Sequence, residues 1–291
     1  MGAMRSGASL SGSLSMRWLG VAGLELHAGG QTLAIDPFLT RPSIARVAFT
    51  RLKPDIERIR RTIPACDHIL VTHAHYDHLL DVPALARQTR ATVWGSEHTC
   101  RICLASGVPQ AQVRRVAPGD RLVLGQFRVE VLPATHERLL GRVPFAGPLR
   151  DELHPPLRAS DYRMDVDLGF WIEVEGVRFL DWLGVDVAGA RSADVLLVKP
   201  DRSRVFFERL LSIVSPRLVI PVHWDDFFRP VSQAARPSLG ASGRLIPPLQ
   251  RVDLRQFERW LAEIAPGARV RVPRALEECA LEPQTALGSV E

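Results

Sequence analysis

Apolar and polar positions along the chain divide it into many short segments rather than a few long ones. Near the start, residues 15–19, 24–27 and 32–35 are strand candidates, with Gly23 and the Gly29-Gly30 pair supplying the turns between them. Asp36-Pro37-Phe38 ends the third, because Pro37 has no N–H with which to continue a ladder. Residues 55–63 place apolar side chains at helical spacing and stop at Pro64. The run 68–72 is continuous enough in apolar character to be a buried strand. A helix is predicted over 77–87, a strand over 92–94 and a helix over 97–105 closed by Gly107. Further strands are predicted at 113–116, 121–124, 127–132, 170–174, 177–183, 195–198, 218–222 and 269–272. Helices are predicted at 204–213 and 254–264, the second clearly amphipathic.

Strands and helices recur in both halves, which suggests two sheets packed face to face with helices outside. Periodicity alone supports an α/β or α+β class. Two stretches break the pattern. Residues 137–167 carry Pro144, Pro148, Pro155 and Pro156 with several arginines and little periodicity, as expected of a lid over a site. Residues 229–248, rich in Pro, Ser and Gly, read as a second surface insertion. The expected organisation is one domain over 16–281 with these two insertions, a flexible leader at 1–15 and a loose tail at 282–291.

At 291 residues the chain can bury a substantial core. It has no run of about eighteen apolar residues that would span a membrane. The leader lacks an apolar signal core, so a cytoplasmic location is expected. Net charge is +5, carried almost wholly by arginine, since Lys53 and Lys199 are the lysines. Arginine admits an anionic small-molecule substrate. The arginines are spread out rather than gathered into a basic stripe with aromatics, so no nucleic-acid partner is expected. Oligomeric state is not legible. Four cysteines, Cys66, Cys100, Cys103 and Cys279, make no disulfide framework in a chain of this length, and the lone Cys100-Arg-Ile-Cys103 is read as two small apolar residues on a helix face.

The informative string is Thr72-His73-Ala74-His75-Tyr76-Asp77-His78. Three imidazoles and a carboxylate directly after a buried strand are poorly explained by core packing. His73 and His75 alternate along an extended backbone and can point the same way, while Asp77 and His78, where a helix begins, can face the same pocket from the other side. Such donors suit Zn²⁺, with Mn²⁺ or Fe possible.

At this string the chain resembles the metallo-β-lactamase superfamily, whose pattern is HxHxDH. Ile35-Asp36-Pro37-Phe38 and His75-Tyr76-Asp77-His78-Leu79 resemble more narrowly the branch of ascorbate-6-phosphate lactonase-like proteins and N-acyl-phosphatidylethanolamine phospholipase D. The resemblance covers roughly residues 18 to 223. It implies a four-layer αβ/βα sandwich with two divalent ions at the edge where the sheets meet. It also implies that His73, His75 and His136 hold one ion, and Asp77, His78 and His223 the other. The family's bridging acid follows a glycine after a hairpin; here Val185 follows Gly184, so Asp186 is the expected bridging residue and Asp181 the alternative. Asp36 is expected to hydrogen-bond a ligand imidazole.

The implied chemistry is hydrolysis of an ester-like bond, in a lactone, a phosphodiester or a related anionic metabolite. Two ions about 3.5–4 Å apart would make a metal-bound hydroxide available near neutral pH. Asp77 and His78 carry the catalytic assignment, with Asp77 placed to orient the nucleophile or accept its proton. In the lid, His154, Arg158 and Tyr162 are the substrate-binding candidates, beside Arg150, Arg163, Asp165 and Asp167. Three alternatives stand against this reading. Tyr76 and the missing basic arm weaken a nucleic-acid nuclease of the same superfamily, and His75 weakens a redox di-iron protein. The displaced acid is the one feature that favours a metal-bound scaffold or sensor without turnover.

Overall fold

Among the residues that the computed structural model describes (14–139, 141–239 and 251–281), fourteen strands form two mixed seven-stranded sheets. The first contains β1 (Ser15–Gly20), β2 (Gly23–Ala28), β3 (Gln31–Ile35), β4 (His68–Leu70), β5 (Thr92–Gly95), β6 (Val113–Arg115) and, beside β1, the edge strand β14 (Glu278–Ala280). The second runs in the order β13 (Arg269–Val270), β12 (Leu218–Pro221), β11 (Val195–Val198), β10 (Val177–Trp182), β9 (Asp167–Val174), β8 (Phe127–Ala134), β7 (Arg121–Leu124). In each sheet an antiparallel meander continues into parallel strands, from β3 to β6 and from β10 to β13.

The period-two alternation of side chains assigns each strand residue to a layer. Leu33 and Ile35 join Phe127, Val129, Phe170, Ile172 and Phe179 between the sheets, while Ala34 faces the other way. On the outer side of the first sheet lie α2 (Ile56–Thr62), α4 (Val82–Thr89) and α5 (Glu97–Ala105). The outer face of the second sheet, through Leu180, Trp182, Leu196 and Val198, packs on α6 (Arg204–Val214) and α7 (Leu254–Ile264). The result is the αβ/βα sandwich. No helix among the described residues is long and apolar enough to cross a membrane.

Three local outcomes differ from the sequence expectation. The helix predicted over 77–87 is two helices, α3 (Tyr76–Leu79) and α4. Pro83, in the first turn of α4, has no N–H and would clash with the carbonyl one turn back, so a continuous helix is excluded. The Asp81 carboxylate at the break instead accepts the N–H groups of Leu39 (2.6 Å) and Thr40 (2.7 Å) and the Thr40 hydroxyl. A short helix α1 (Ile44–Phe49) and the edge strand β14 had no periodic signal; α1 buries no residue at all. The four cysteines are free and buried, and burial pushes the Cys66 and Cys100 thiols up to about 12, so they are unreactive packing groups. Most of the leader (1–13), the later part of the second insertion (240–248) and the tail at 282–291 lie outside the described residues.

Candidate metal centre

The parallel strand β4 ends at Leu70, and the next residues cross the rim of the sandwich in extended form. Val71 donates its N–H to the Trp94 carbonyl, and the Thr72 carbonyl accepts from Leu168 of the opposite sheet. This tie across the two sheets brings His73 and His75 to their common edge. His75 is still extended (φ −70°, ψ 154°) and caps α3, whose single turn carries Asp77 and His78. His136 follows the end of β8, and His223, in a left-handed conformation (φ 56°), follows β12.

These six side chains form two groups. Ligand atoms of His73, His75 and His136 all lie within 4.8 Å of one another, as do those of Asp77, His78 and His223, and either set is able to hold a metal ion. Asp77 Oδ2 stands 3.6 Å from His78 Nε2 and 3.5 Å from His223 Nε2. The groups line one cavity of about 260 Å³.

Hydrogen bonds on the far side of each ring determine which nitrogen faces the cluster. His75 Nε2 donates to the Pro144 carbonyl (2.9 Å) and His136 Nδ1 to the Glu137 carbonyl (2.8 Å); a carbonyl can only accept, so Nδ1 of His75 and Nε2 of His136 keep their lone pairs. His78 Nδ1 donates to Asp36 Oδ2 (2.7 Å), which leaves Nε2 towards Asp77. Asp36 also accepts the Thr72 N–H (2.8 Å) and hydroxyl (2.5 Å), so it braces both the strand end and a ring. His73 Nδ1 faces Asp167 Oδ1 at 3.2 Å, and its Nε2 is buried without a hydrogen-bond partner. A buried bare nitrogen in a ring of imidazoles is costly unless something electrophilic joins them, so the donor set fits a metal ion.

In the first group the electrostatics agree. Burial, reinforced by the neighbouring imidazoles, lowers His73 well below the usual histidine range, and burial takes His136 down to about 4. Both are therefore neutral, as ligands must be. Burial alone would raise Asp77, but His78 and His223 override it and hold the carboxylate well below its ordinary range. For His78, burial is outweighed by Asp36 and Asp77, which raise it to about 9.

The cavity receives several residues that sequence reasoning did not assign to it. Asp167, read from sequence as a lid residue, begins β9 and stands against His73. Its signal was an acid opening a strand that is buried on both faces. Pro144 and Phe145 come from the 137–167 segment, and Phe227 from the segment after β12. Lys199 and Arg202, in the turn between β11 and α6, both reach Glu137 Oε2 (2.8 and 3.1 Å) and also pair with Asp201 (3.1 and 3.4 Å). Glu137 thus orients His136 through its main chain and is itself anchored through its side chain. Burial would raise Glu137, but Lys199 and Arg202 take it from 4.5 to about 2. Because the folded value is the lower one, this anchor stabilises the fold fully above about pH 4.5 and is lost as pH falls towards 2. Glu137→Gln is expected to lower the melting temperature at pH 6 and to narrow its difference from the unaltered protein as pH falls below 4; an equal difference at both pH values would count against the anchor.

Four predicted residues lie elsewhere. Asp186 turns its carboxylate to the Ala188 N–H (3.1 Å), away from the cavity, and the corner after β10 offers the cavity Leu183 instead. The alternative, Asp181, shares the inter-sheet face with Phe179 and does not line the cavity; burial raises its pKa well above the ordinary range. His154 is exposed beside Glu152, and Arg158 caps a short 3₁₀ turn and donates to the Phe49 carbonyl (3.3 Å). Tyr162 is 4% exposed and packs in the core under the first sheet's helices. Proline spacing marked the segment as irregular but could not say which of its residues turn inward.

Two sheets between helix layers, with histidines and an aspartate gathered at their shared edge, make the αβ/βα sandwich of the metallo-β-lactamase fold. A sequence profile of the beta-lactamase superfamily domain matches residues 31–152. A metal-dependent hydrolase of the UPF0173 group from Cupriavidus taiwanensis is 28% identical over 267 residues, covering 85% of this chain and 89% of that protein. Among solved structures, the metallo hydrolase Igni18 from Ignicoccus hospitalis superposes with a TM-score of 0.61 at 19% identity, over 93% of this chain and 99% of the other. The metallo-β-lactamase fold protein YhfI from Bacillus subtilis gives 0.55 at 11% identity, over 91% and 99%. Over residues 31–152 the chain matches the beta-lactamase superfamily domain, and its fold is that of the metallo-β-lactamases.

Proposed function

We propose that the protein hydrolyses an ester-like bond in a small anionic substrate with two divalent ions, Zn²⁺ being the best match to the donors. One ion is held by His73, His75 and His136, the other by Asp77, His78 and His223. The observation that carries this reading is the hydrogen-bond pattern: in the first group each ring is braced on one nitrogen, His73 by the Thr72 hydroxyl (3.1 Å), so that the other nitrogen is left bare towards its partners. When bound, the ions supply Lewis acidity and acidify water towards neutrality.

The chain's own residues supply the rest. Asp77, held ionised by His78 and His223, is placed to orient the attacking water as a hydrogen-bond acceptor. Tyr76, Pro144, Phe145, Leu183 and Phe227 give the cavity an apolar wall that restricts bulk water. The lid role assigned to residues 137–167 narrows to Pro144 and Phe145, since Phe145 stands with its ring centroid 6.3 Å from that of His75. Across the cavity, Lys199 spends two of its three donors on Glu137 and Asp201, and the third is available to a substrate carboxylate or phosphate.

Metal analysis of protein purified without added metal is expected to return close to two ions per chain. One ion or none would favour a scaffold without turnover. With bis-nitrophenyl phosphate, lactones and acyl esters as a panel, Lys199→Ala is expected to raise KM roughly tenfold more for anionic members than for neutral esters. An equal effect on both classes would remove Lys199 from substrate recognition.

A further inference from the structure

A second cavity, of about 570 Å³, lies beside the metal centre between α1 and α2. The two cavities are separated by the adjacent rings of Phe227 and Phe228, whose centroids are 4.4 Å apart; Phe227 lines the first and Phe228 the second. Its charge is one-sided. Arg41, Arg46, Lys53 and Arg58 line it against a single carboxylate, Asp55. Arg41 is committed to the buried Asp225 (2.7 Å), and Arg58 shares Asp55 (3.4 Å) while donating to the Leu39 carbonyl. Arg46 and Lys53 make no side-chain hydrogen bond or ion pair among the described residues. A smaller cavity of about 210 Å³ continues from the same two residues to Arg51, with no acid in its lining.

Cations set around one concavity repel one another and lower stability slightly unless an anion joins them. Here the concavity has apolar walls in Pro42, Pro54 and Phe228, which reduce the screening of any charge inside it. Arg46 and Lys53 stand on different elements, one on α1 and one in the loop leading to α2, so they approach a ligand from two sides. That arrangement suits an anion with more than one charged centre.

We propose that this cleft is a binding site for a multiply charged phosphate, held by Arg46 and Lys53 with Arg58 behind them. The assignment does not depend on the hydrolytic reading, because no residue of the histidine cluster takes part. The position beyond the Phe227–Phe228 partition makes it suited to the remote phosphate of a long ligand as well as to a free phosphate compound.

The test is calorimetric titration of the chelator-treated full chain with inorganic pyrophosphate at low salt, with citrate as a non-phosphate anion of similar charge. Binding is expected to weaken roughly tenfold or more in Arg46→Ala/Lys53→Ala and to weaken with added salt. It should persist in His75→Ala, which separates this cleft from the empty histidine cluster. Both substituted residues are exposed, so folding is expected to be retained, and the charge reversal Lys53→Glu offers a second variant. Unchanged affinity in the double variant, citrate binding as tightly as pyrophosphate, or no binding at millimolar pyrophosphate would each overturn the proposal. With ADP in place of pyrophosphate, tighter binding that Phe228→Ala removes would identify the ligand as one carrying a ring against that wall.

Discussion

His75→Ala is expected to lose turnover by on the order of a thousandfold or more, because it removes a proposed ligand from a unit whose members act together. The residue stands at the crossing of two constraints. Its backbone is the extended step that launches α3, and its ring is turned by the Pro144 carbonyl so that Nδ1 faces His73 and His136. Alanine keeps the backbone step and deletes the ring that faces the cluster. Loss of one metal equivalent should accompany the loss of rate, with the melting transition retained. His136→Ala, on the other sheet, should give the same pair of effects through a different element. Turnover close to the unaltered level in both variants, with two ions still bound, would be incompatible with the proposed centre.

The second large effect separates Asp167 from Asp186. Asp167 Oδ1 stands 3.2 Å from His73 Nδ1 and is 5% exposed, whereas Asp186 caps its own turn through Ala188. Removing a carboxylate that orients a ligand imidazole typically costs about 10–100-fold in metal affinity. Asp167→Ala is therefore expected to weaken zinc by that range in competition with a chromophoric chelator. Asp167→Asn, which keeps an oxygen beside Nδ1 but loses the charge, should fall between Asp167→Ala and the unaltered protein, and Asp186→Ala should match the unaltered protein. If Asp186→Ala weakened zinc and Asp167→Ala did not, the roles drawn from the geometry would be reversed.

Proximity explains which parts of this arrangement are visible in a one-dimensional string. His73, His75, Asp77 and His78 lie within six residues, and the alternation of an extended segment followed by one helical turn is enough to bring them to one side. His136 and His223 each follow a predicted strand, so a resemblance could point to them. Asp36 was legible for the same reason, at the end of β3 beside β4. The lid candidates failed where periodicity was absent: nothing in a proline-rich stretch distinguishes Tyr162, which packs inward against the core, from Phe145, which turns to the cavity.

What the sequence by itself determined is whatever local backbone geometry controls: the strand and helix periods and a cluster of donors at a strand end. The tertiary structure alone decided the rest. It selected Asp167 over Asp186, because the first sits on a strand that the opposite sheet presses against His73 while the second finds its partner two residues away. It also brought Lys199 and Arg202 to Glu137, more than sixty residues earlier in the chain, and set Arg46 and Lys53 around one cleft. The physical reason is the same in each case: charge and hydrogen-bond partners depend on distance in space, and only the packing of the two sheets sets that distance.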